Sequence, residues 1–283
     1  MKRKIFFAII FFIIPFIAYA QVDDQDEKLF QEKQAEGIWV TDKKLDMRAK
    51  GEDTIYGHFY HEESTVKQGG RCGQWQITTF RVALLNKGLQ FPYFEATRHN
   101  RFGERDYNFD FGGYFKLAEG YARIEAGFGH DVSYTSKFRA AGEIEQKLLG
   151  TLFVNINAEY QRKPGAKVYI VSPGLIYYFG DHYIFLDYGL SIIESRGAAN
   201  YGIAKANIRL MKNISFIGGF AIGERLYDIY GLDKASSEKG YIVFGGLEIK
   251  MNDDVAVRLG GSYSEEEPSF IKRSFEVLVK ASF

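Results

Sequence analysis

The stretch FEVLVKASF, residues 275–283, ends the chain and decides the fold. Apolar residues occupy every second position of it, at Phe275, Val277, Val279, Ala281 and Phe283. Alternation of period two describes a strand with one apolar face and one largely polar face. A strand of this kind that closes on an aromatic residue is typical of outer-membrane β-barrels. We therefore predict an all-β fold, a closed antiparallel transmembrane β-barrel, with this segment as the closing strand.

The N-terminus predicts export. Lys2, Arg3 and Lys4 precede an apolar run from Ile5 to Ile17, and Ala18-Tyr19-Ala20 follows as a cleavage signature. The alternative interpretation is a membrane anchor, but the run is shorter than the roughly 20 residues that a spanning helix needs. We expect residues 1–20 to be a cleaved signal peptide.

Two regions follow the signal peptide. Residues 21–53 are charged and poor in strand-forming residues, which predicts a periplasmic N-terminal segment. Residues 54–283 contain no run of about 18 apolar residues, so a helical membrane domain is excluded. Because only helices and closed barrels satisfy their backbone groups in lipid, residues 54–283 are predicted to form the barrel.

Charge and cysteine content exclude several classes of function. Loss of the signal peptide leaves 33 Lys and Arg against 36 Asp and Glu, and this balance argues against nucleic acid as a partner. The single cysteine, Cys72, cannot form an internal disulfide. No phosphate loop, nucleophile elbow or His/Cys metal spacing occurs, so we expect no cofactor and no metal.

Turn spacing predicts the number of strands. Short turns are expected at Lys87-Gly88, Ala118–Gly120, Leu149-Gly150, Gly180-Asp181, Lys212-Asn213 and Asn252-Asp253. Longer polar loops are expected between them, at Glu62–Gly73, His99–Arg105, His130–Ser136, Arg162–Gly165, Glu194–Ala199, Tyr227–Lys239 and Glu265–Ser269. Short periplasmic turns and longer extracellular loops are the asymmetry of bacterial barrels, and they predict about 14 strands, with 12–16 acceptable. Pro173 falls within a strand, where it is expected to mark a bulge.

The order of these segments resembles the YaiO family of outer-membrane β-barrels over residues 54–283. The resemblance is carried by Glu95-Ala96-Thr97-Arg98, Phe102–Tyr107, His130-Asp131, the hairpin Phe138–Tyr160, Pro173-Gly174 before Tyr177-Tyr178, Gly223-Glu224-Arg225 and the closing strand. It implies a location in the bacterial outer membrane, no assigned catalytic activity and a loose link to surface polysaccharide or envelope functions.

Charged residues alternate with the apolar face and are predicted to line the lumen, because Lys or Arg at the lipid midplane costs roughly 2–4 kcal/mol. This set comprises Arg81, Asp106, Asp110, Lys116, Arg123, Glu125, Arg139, Glu143, Glu145, Glu159, Asp187, Lys205, Arg209, Glu248, Lys250, Arg258, Glu276 and Lys280. One interpretation is a polar conduit with selective charge rings. The other is an internal network of ion pairs that supports the wall, which the mixture of signs favours.

Two classes of function stay open. The first is a non-enzymatic, porin-like component of the Gram-negative envelope, a passage or surface component for small solutes or glycans. The second is a lipid- or peptide-hydrolysing barrel enzyme, for which His130 and Asp131 are weak catalytic candidates as a base and its orienting carboxylate. The expected partners are outer-membrane lipid and lipopolysaccharide, the barrel-assembly machinery, and glycans or small solutes.

Overall fold

The computed structural model describes residues 54–68, 71–86, 89–194, 197–224, 239–266 and 270–283. The predicted signal peptide and periplasmic segment therefore lie outside the described residues. Among the described residues, no helix is long and apolar enough to cross a membrane. The strands are β1 (Thr54–Gln68), β2 (Arg71–Asn86), β3 (Leu89–Arg101), β4 (Glu104–Leu117), β5 (Gly120–His130), β6 (Phe138–Leu149), β7 (Leu152–Lys163), β8 (Ala166–Phe179), β9 (His182–Ile193), β10 (Gly197–Met211), β11 (Ile214–Glu224), β12 (Lys239–Lys250), β13 (Val255–Glu266) and β14 (Phe270–Ser282).

These strands form one closed antiparallel barrel in which each strand pairs with its neighbours in sequence. The barrel closes where β14 pairs with β1, from Tyr56 opposite Ser282 to Gln68 opposite Phe270. The predicted 14-stranded barrel and its closing strand are thus confirmed. Closure leaves no unpaired sheet edge, which is the condition for a sheet to stand in lipid.

Alternation along each strand separates an outer face from an inner face. Outward side chains are apolar and accessible, as with Ile124 at 62% and Phe275 at 56% exposure. Inward side chains are buried even when charged, and Arg81 is only 1% exposed. This is the apolar-out and polar-in arrangement of outer-membrane barrels. The core of this protein is therefore the packed lumen.

The predicted turns from Ala118–Gly120 to Asn252-Asp253 fall at junctions between consecutive strands, at the end of the barrel where β1 begins and β14 ends. We call this the turn end and the opposite end the loop end. The predicted turn Lys87-Gly88 lies outside the described residues. Several predicted loops are wrong. Strands β1 and β2 run through most of Glu62–Gly73, and β3 and β4 leave only Phe102 and Gly103 of His99–Arg105. Strand pairing continues beyond the apolar band because it still satisfies the backbone groups there.

The predicted bulge at Pro173 is also wrong. Val171 pairs with Leu190 and Gly174 pairs with Asp187, so the register of β8 against β9 is the same on both sides of the proline. Proline removes one ladder donor, but no extra residue is inserted.

Candidate functional site

An ion-pair belt follows the inner wall from β2 to β7. Arg81 Nη2 on β2 lies 2.6 Å from Glu95 Oε2 on β3. Arg123 Nε on β5 lies 3.0 Å from Glu143 Oε2 on β6. Each pair joins neighbouring strands at matching heights, because the register places Arg81 opposite Glu95 and Arg123 opposite Glu143. Charges taken out of water are tolerated when they are paired in this way.

Arg139 is the centre of this belt. Its Nε lies 2.5 Å from Glu159 Oε1 on β7, and its Nη1 contacts Glu125 on β5 and lies 3.6 Å from Asp110 Oδ1 on β4. The guanidinium therefore links carboxylates from three other strands. A planar cation with several donors is suited to this role, which lysine could not fill.

A second group of ion pairs lies on the opposite wall. Glu248 Oε2 on β12 is 2.7 Å from Lys280 Nζ and 3.1 Å from Arg258 Nη2. Towards the loop end, Glu62 Oε1 is 2.5 Å from Lys272 Nζ. Hydrogen bonds extend this group, since the Tyr60 hydroxyl donates to Glu276. Lys272 belongs to this network but was not among the lumen charges predicted from the sequence.

The remaining predicted charges occupy three kinds of position. Glu145 is fully buried, and Asp187 and Lys205 line the cavity described below. Arg209 bonds Asp181 at the turn end, with Nη1 and Oδ2 2.9 Å apart. Lys116 and Lys250 lie at the turn-end limits of β4 and β12, and Lys116 is exposed. Lys116 and Arg209 were predicted to line the lumen, and this needs correction. Both lie at the turn-end rim, because they are close to the ends of β4 and β10.

Buried rings form a turn-end aromatic layer that the sequence interpretation missed. The layer consists of Tyr56, Tyr93, Tyr114, Tyr121, Phe153, Tyr178 and Tyr183, packed with Ala83, Ile176 and Ala256. Neighbouring rings touch, with centroids 5.6 Å apart for Tyr114 and Tyr121 and 5.3 Å for Phe153 and Tyr178. Its hydroxyls reach the ion-pair belt, because Tyr93 donates to Glu125 and Tyr121 donates to Glu143. The sequence contains a signal for this layer, because Tyr114 shares the period-two face of Asp106 and Asp110.

The β5–β6 loop folds into the loop end of the lumen and is held there by Asp106. The fully buried Asp106 carboxylate accepts hydrogen bonds from the backbone N–H groups of Ser133 at 2.9 Å, Tyr134 at 2.9 Å and Thr135 at 2.7 Å. The Tyr134 ring lies against Arg101, whose guanidinium carbon is 4.4 Å from its centroid. Burial raises the pKa of Tyr134. Asp106 therefore acts as an anchor for a loop rather than as a free lumen charge.

Replacing Asp106 with alanine is expected to release this loop. Bonds to a charged acceptor are worth about 1.5–3 kcal/mol each, so amide exchange at residues 133–135 should accelerate by about tenfold or more. Hydrogen–deuterium exchange of the folded protein measures this. Glu63→Ala, which removes an exposed carboxylate from β1 at the same end, is the matched control and should change exchange little. Equal protection in Asp106→Ala and the parent would contradict the anchor.

A cavity of about 730 Å³ lies inside the wall formed by β2 to β10. One side of it carries the belt residues Glu95, Arg123, Arg139 and Glu159. The other side is largely apolar or aromatic, and it presents Ile170, Tyr183, Phe185, Tyr201 and Ile203. Amides and hydroxyls complete the lining, among them Asn108, Asn155, Asn157, Thr97 and Ser172. The cavity thus offers both donors and acceptors beside an apolar surface.

The two catalytic candidates are placed at the surface. His130 Nε2 lies 3.2 Å from Asp131 Oδ2, but the side chains are 72% and 71% exposed. The nearby Ser133 hydroxyl is directed to Glu104 at 3.5 Å. A nucleophile must lie within about 2.6–3.2 Å of its base, and none of the described residues holds one there. Nor do the described residues bring three or more His, Cys, Asp or Glu together as a metal site.

Comparison with known proteins agrees with this architecture. A family model described as the YaiO membrane beta barrel domain matches residues 64–202. This match confirms the resemblance drawn from the sequence. No curated protein matches the chain.

Solved structures share the fold at low sequence identity. The outer membrane protein Omp33 of Acinetobacter baumannii is 10% identical with a TM-score of 0.51, and the match covers 83% of this chain and 100% of that one. A bacterial polysaccharide outer membrane secretin is 8% identical with a TM-score of 0.51, covering 78% and 97%. The CymD monoaromatic hydrocarbon channel is 11% identical with a TM-score of 0.50, covering 89% and 96%. Family and fold together place the chain among outer-membrane β-barrels.

Proposed function

We propose that this chain, which belongs over residues 64–202 to the YaiO membrane β-barrel domain family, is a non-enzymatic component of the bacterial outer membrane. Its lumen admits small polar solutes or glycans. The cleaved signal peptide of residues 1–20 delivers it, and the barrel-assembly machinery inserts it. The turn end then faces the periplasm and the loop end faces the outside.

The lumen cavity carries this proposal. It extends from loop-end residues such as Arg101 and Thr135 to Tyr183 of the turn-end aromatic layer. Its acidic side chains, Glu95, Asp110, Glu143, Glu159 and Asp187, are matched by its basic ones, Arg101, Arg123, Arg139, Lys163 and Lys205. A balanced lining attracts neither anions nor cations as a class. Uncharged molecules with many hydroxyl groups suit it, because such groups both donate and accept hydrogen bonds.

Flux through proteoliposomes tests the proposal. Folded full-length protein should admit neutral mono- and disaccharides faster than protein-free liposomes do. A salt gradient across a planar bilayer should give a reversal potential near zero, because the lining charges balance. If folded protein neither passes nor binds any of these sugars, the proposal of solute passage is wrong. A strong preference for one ion sign would contradict the balanced lining.

The enzymatic alternative has its own test. Alanine replacement of both His130 and Asp131 should leave lipid A and the surface-protein profile unchanged, because the exposed pair adjoins no nucleophile among the described residues. A changed profile would restore the hydrolase interpretation.

A further inference from the structure

Basic side chains gather on the outer face of β3 to β8 at the loop end. We call them the basic row, and it consists of Arg98, Arg105, Arg162 and Lys167. Strand register places Arg162 opposite Lys167, and it places Arg98 opposite Tyr107, two residues from Arg105. All except Lys167 are exposed residues, and the Lys167 side chain is itself 44% exposed. The row therefore lies outside the lumen, on the wall that faces the membrane.

An aromatic ladder lies directly below the basic row. Ring centroids are 5.5 Å apart between Phe128 and Phe138, 6.2 Å between Phe138 and Tyr160, and 5.2 Å between Tyr160 and Tyr169. Arg162 follows Tyr160 by two residues on β7, and Lys167 precedes Tyr169 by two on β8, so both cations sit one step nearer the loop end. Aromatic rings of this kind mark the boundary between hydrocarbon and headgroups. The basic row is thereby placed at headgroup level.

The pairing of Arg162 with Lys167 places two cations directly opposite each other, and one carboxylate offsets them. Directly opposite side chains on antiparallel strands have Cβ atoms about 5 Å apart, and like charges at that spacing repel. Lys167 Nζ has one carboxylate, Glu194 Oε1, at 3.2 Å. Arg162 makes no ion pair with the residues that the structure describes. A phosphate between the two cations would relieve this repulsion and accept several of their hydrogen bonds.

The rest of the outer rim differs. Outward loop-end positions of β1 and β11 to β14 carry Glu63, Glu224 and Glu265 against Lys67, Lys239 and Arg273. Charge there is balanced, and Glu265 accepts hydrogen bonds from Tyr241 and Tyr263 at 2.9 Å each. The basic row adds four cations to three nearby carboxylates, those of Glu104, Asp131 and Glu194. Excess positive charge thus occurs on one side of the barrel.

We propose that the basic row is a binding site for a phosphorylated lipid headgroup of the outer leaflet, whose acyl chains lie along the aromatic ladder. The occupant is a lipid because the ladder continues the apolar band directly below the cations. The inference rests on the orientation given under the proposed function, but it does not depend on solute passage. Phosphate contacts go to Arg162 and Lys167, and Arg98 and Arg105 supply longer-range attraction.

Native mass spectrometry of folded, full-length protein in neutral detergent tests the site with diphosphorylated lipid A, its dephosphorylated form and phosphatidylcholine as probes. The unaltered protein should retain diphosphorylated lipid A preferentially. The double variant Arg162→Gln/Lys167→Gln should retain about tenfold less or lower, because two cations at headgroup level are lost. Arg162→Lys should keep part of the retention, since the charge remains.

The double variant Lys239→Gln/Arg273→Gln removes the same charge from the opposite rim and should retain the lipid as the unaltered protein does. Equal retention by both double variants would overturn the site. Displacement of the lipid by millimolar inorganic phosphate alone would assign the cations to free phosphate and overturn the lipid as occupant. Sugar flux should be the same in all variants, so failure of the lumen proposal and failure of the lipid site are separate results.

Discussion

Replacing Arg139 with methionine is expected to destabilise the barrel by about 3–5 kcal/mol, the usual cost of removing one partner from a buried ionic network. The variant leaves Glu159, Glu125 and Asp110 facing one another without the cation that joins them. Three carboxylates, from β4, β5 and β7, then repel within a poorly solvated lumen. Denaturant unfolding of protein folded in lipid vesicles, followed by tryptophan fluorescence, measures the loss.

Arg209→Met is the matched control for this loss. Its partner Asp181 also lies within ion-pair distance, but both side chains are partly exposed at the turn end. Exposed pairs contribute about 0–1 kcal/mol, so this variant should unfold almost like the parent. Adding Glu125→Gln and Glu159→Gln to Arg139→Met should recover part of the stability, because the unpaired charges are then gone. Equal stability of the two single variants would show that the belt does not hold the wall together.

Much of this fold could be predicted because its determinants are local. Period-two alternation states which side chains share a face, and Gly, Asn and Asp mark the tight turns that set strand number. The closing strand could be predicted from the period-two alternation of residues 275–283. Loop lengths were predicted poorly because polar residues were taken to end a strand. Hydrogen bonding between Glu62–Gln68 and its neighbours continues in water, where polar side chains cost nothing.

The contacts inside the lumen could not be predicted from the sequence, for a different reason. Arg139 finds its carboxylates on β4, β5 and β7, and that choice depends on the stagger of strands around the barrel. Asp106 binds the backbone of residues 133–135, and no side-chain pattern encodes a backbone donor. The alternation predicted that Asp106 faces inward, but its use as a loop anchor emerges only when the β5–β6 loop turns into the lumen.

Aromatic residues form two populations in this barrel. Lipid-facing girdles are the commonest place for tyrosine and phenylalanine in membrane barrels. Tyr169 and Phe138 fit this expectation, whereas Tyr114 and Tyr121 point inward and are almost completely buried. Composition cannot separate the two populations. Position along the strand can separate them, because inward rings occupy the same alternate positions as the inward charges of their own strand.

Truncating Tyr114 and Tyr121 together to alanine is expected to raise single-channel conductance several-fold. Both rings belong to the turn-end aromatic layer, and Tyr114 also packs against Tyr93 with centroids 6.1 Å apart. Removing two rings leaves a gap between the cavity and the turn end, through which water and ions can pass. Each truncation should also cost about 3–5 kcal/mol of stability, as large-to-small changes in a packed core do. Planar-bilayer recording of the refolded variant measures the conductance.

Two further variants make this result specific. Tyr177→Ala removes a neighbouring ring that faces lipid from β8, and it should leave conductance unchanged. Tyr121→Phe keeps the ring but removes the hydroxyl that donates to Glu143, so it should weaken folding without opening the lumen. Conductance that rises equally in Tyr121→Phe would assign the barrier to the hydrogen bond. Unchanged conductance in the folded double variant would show that the aromatic layer is structural only.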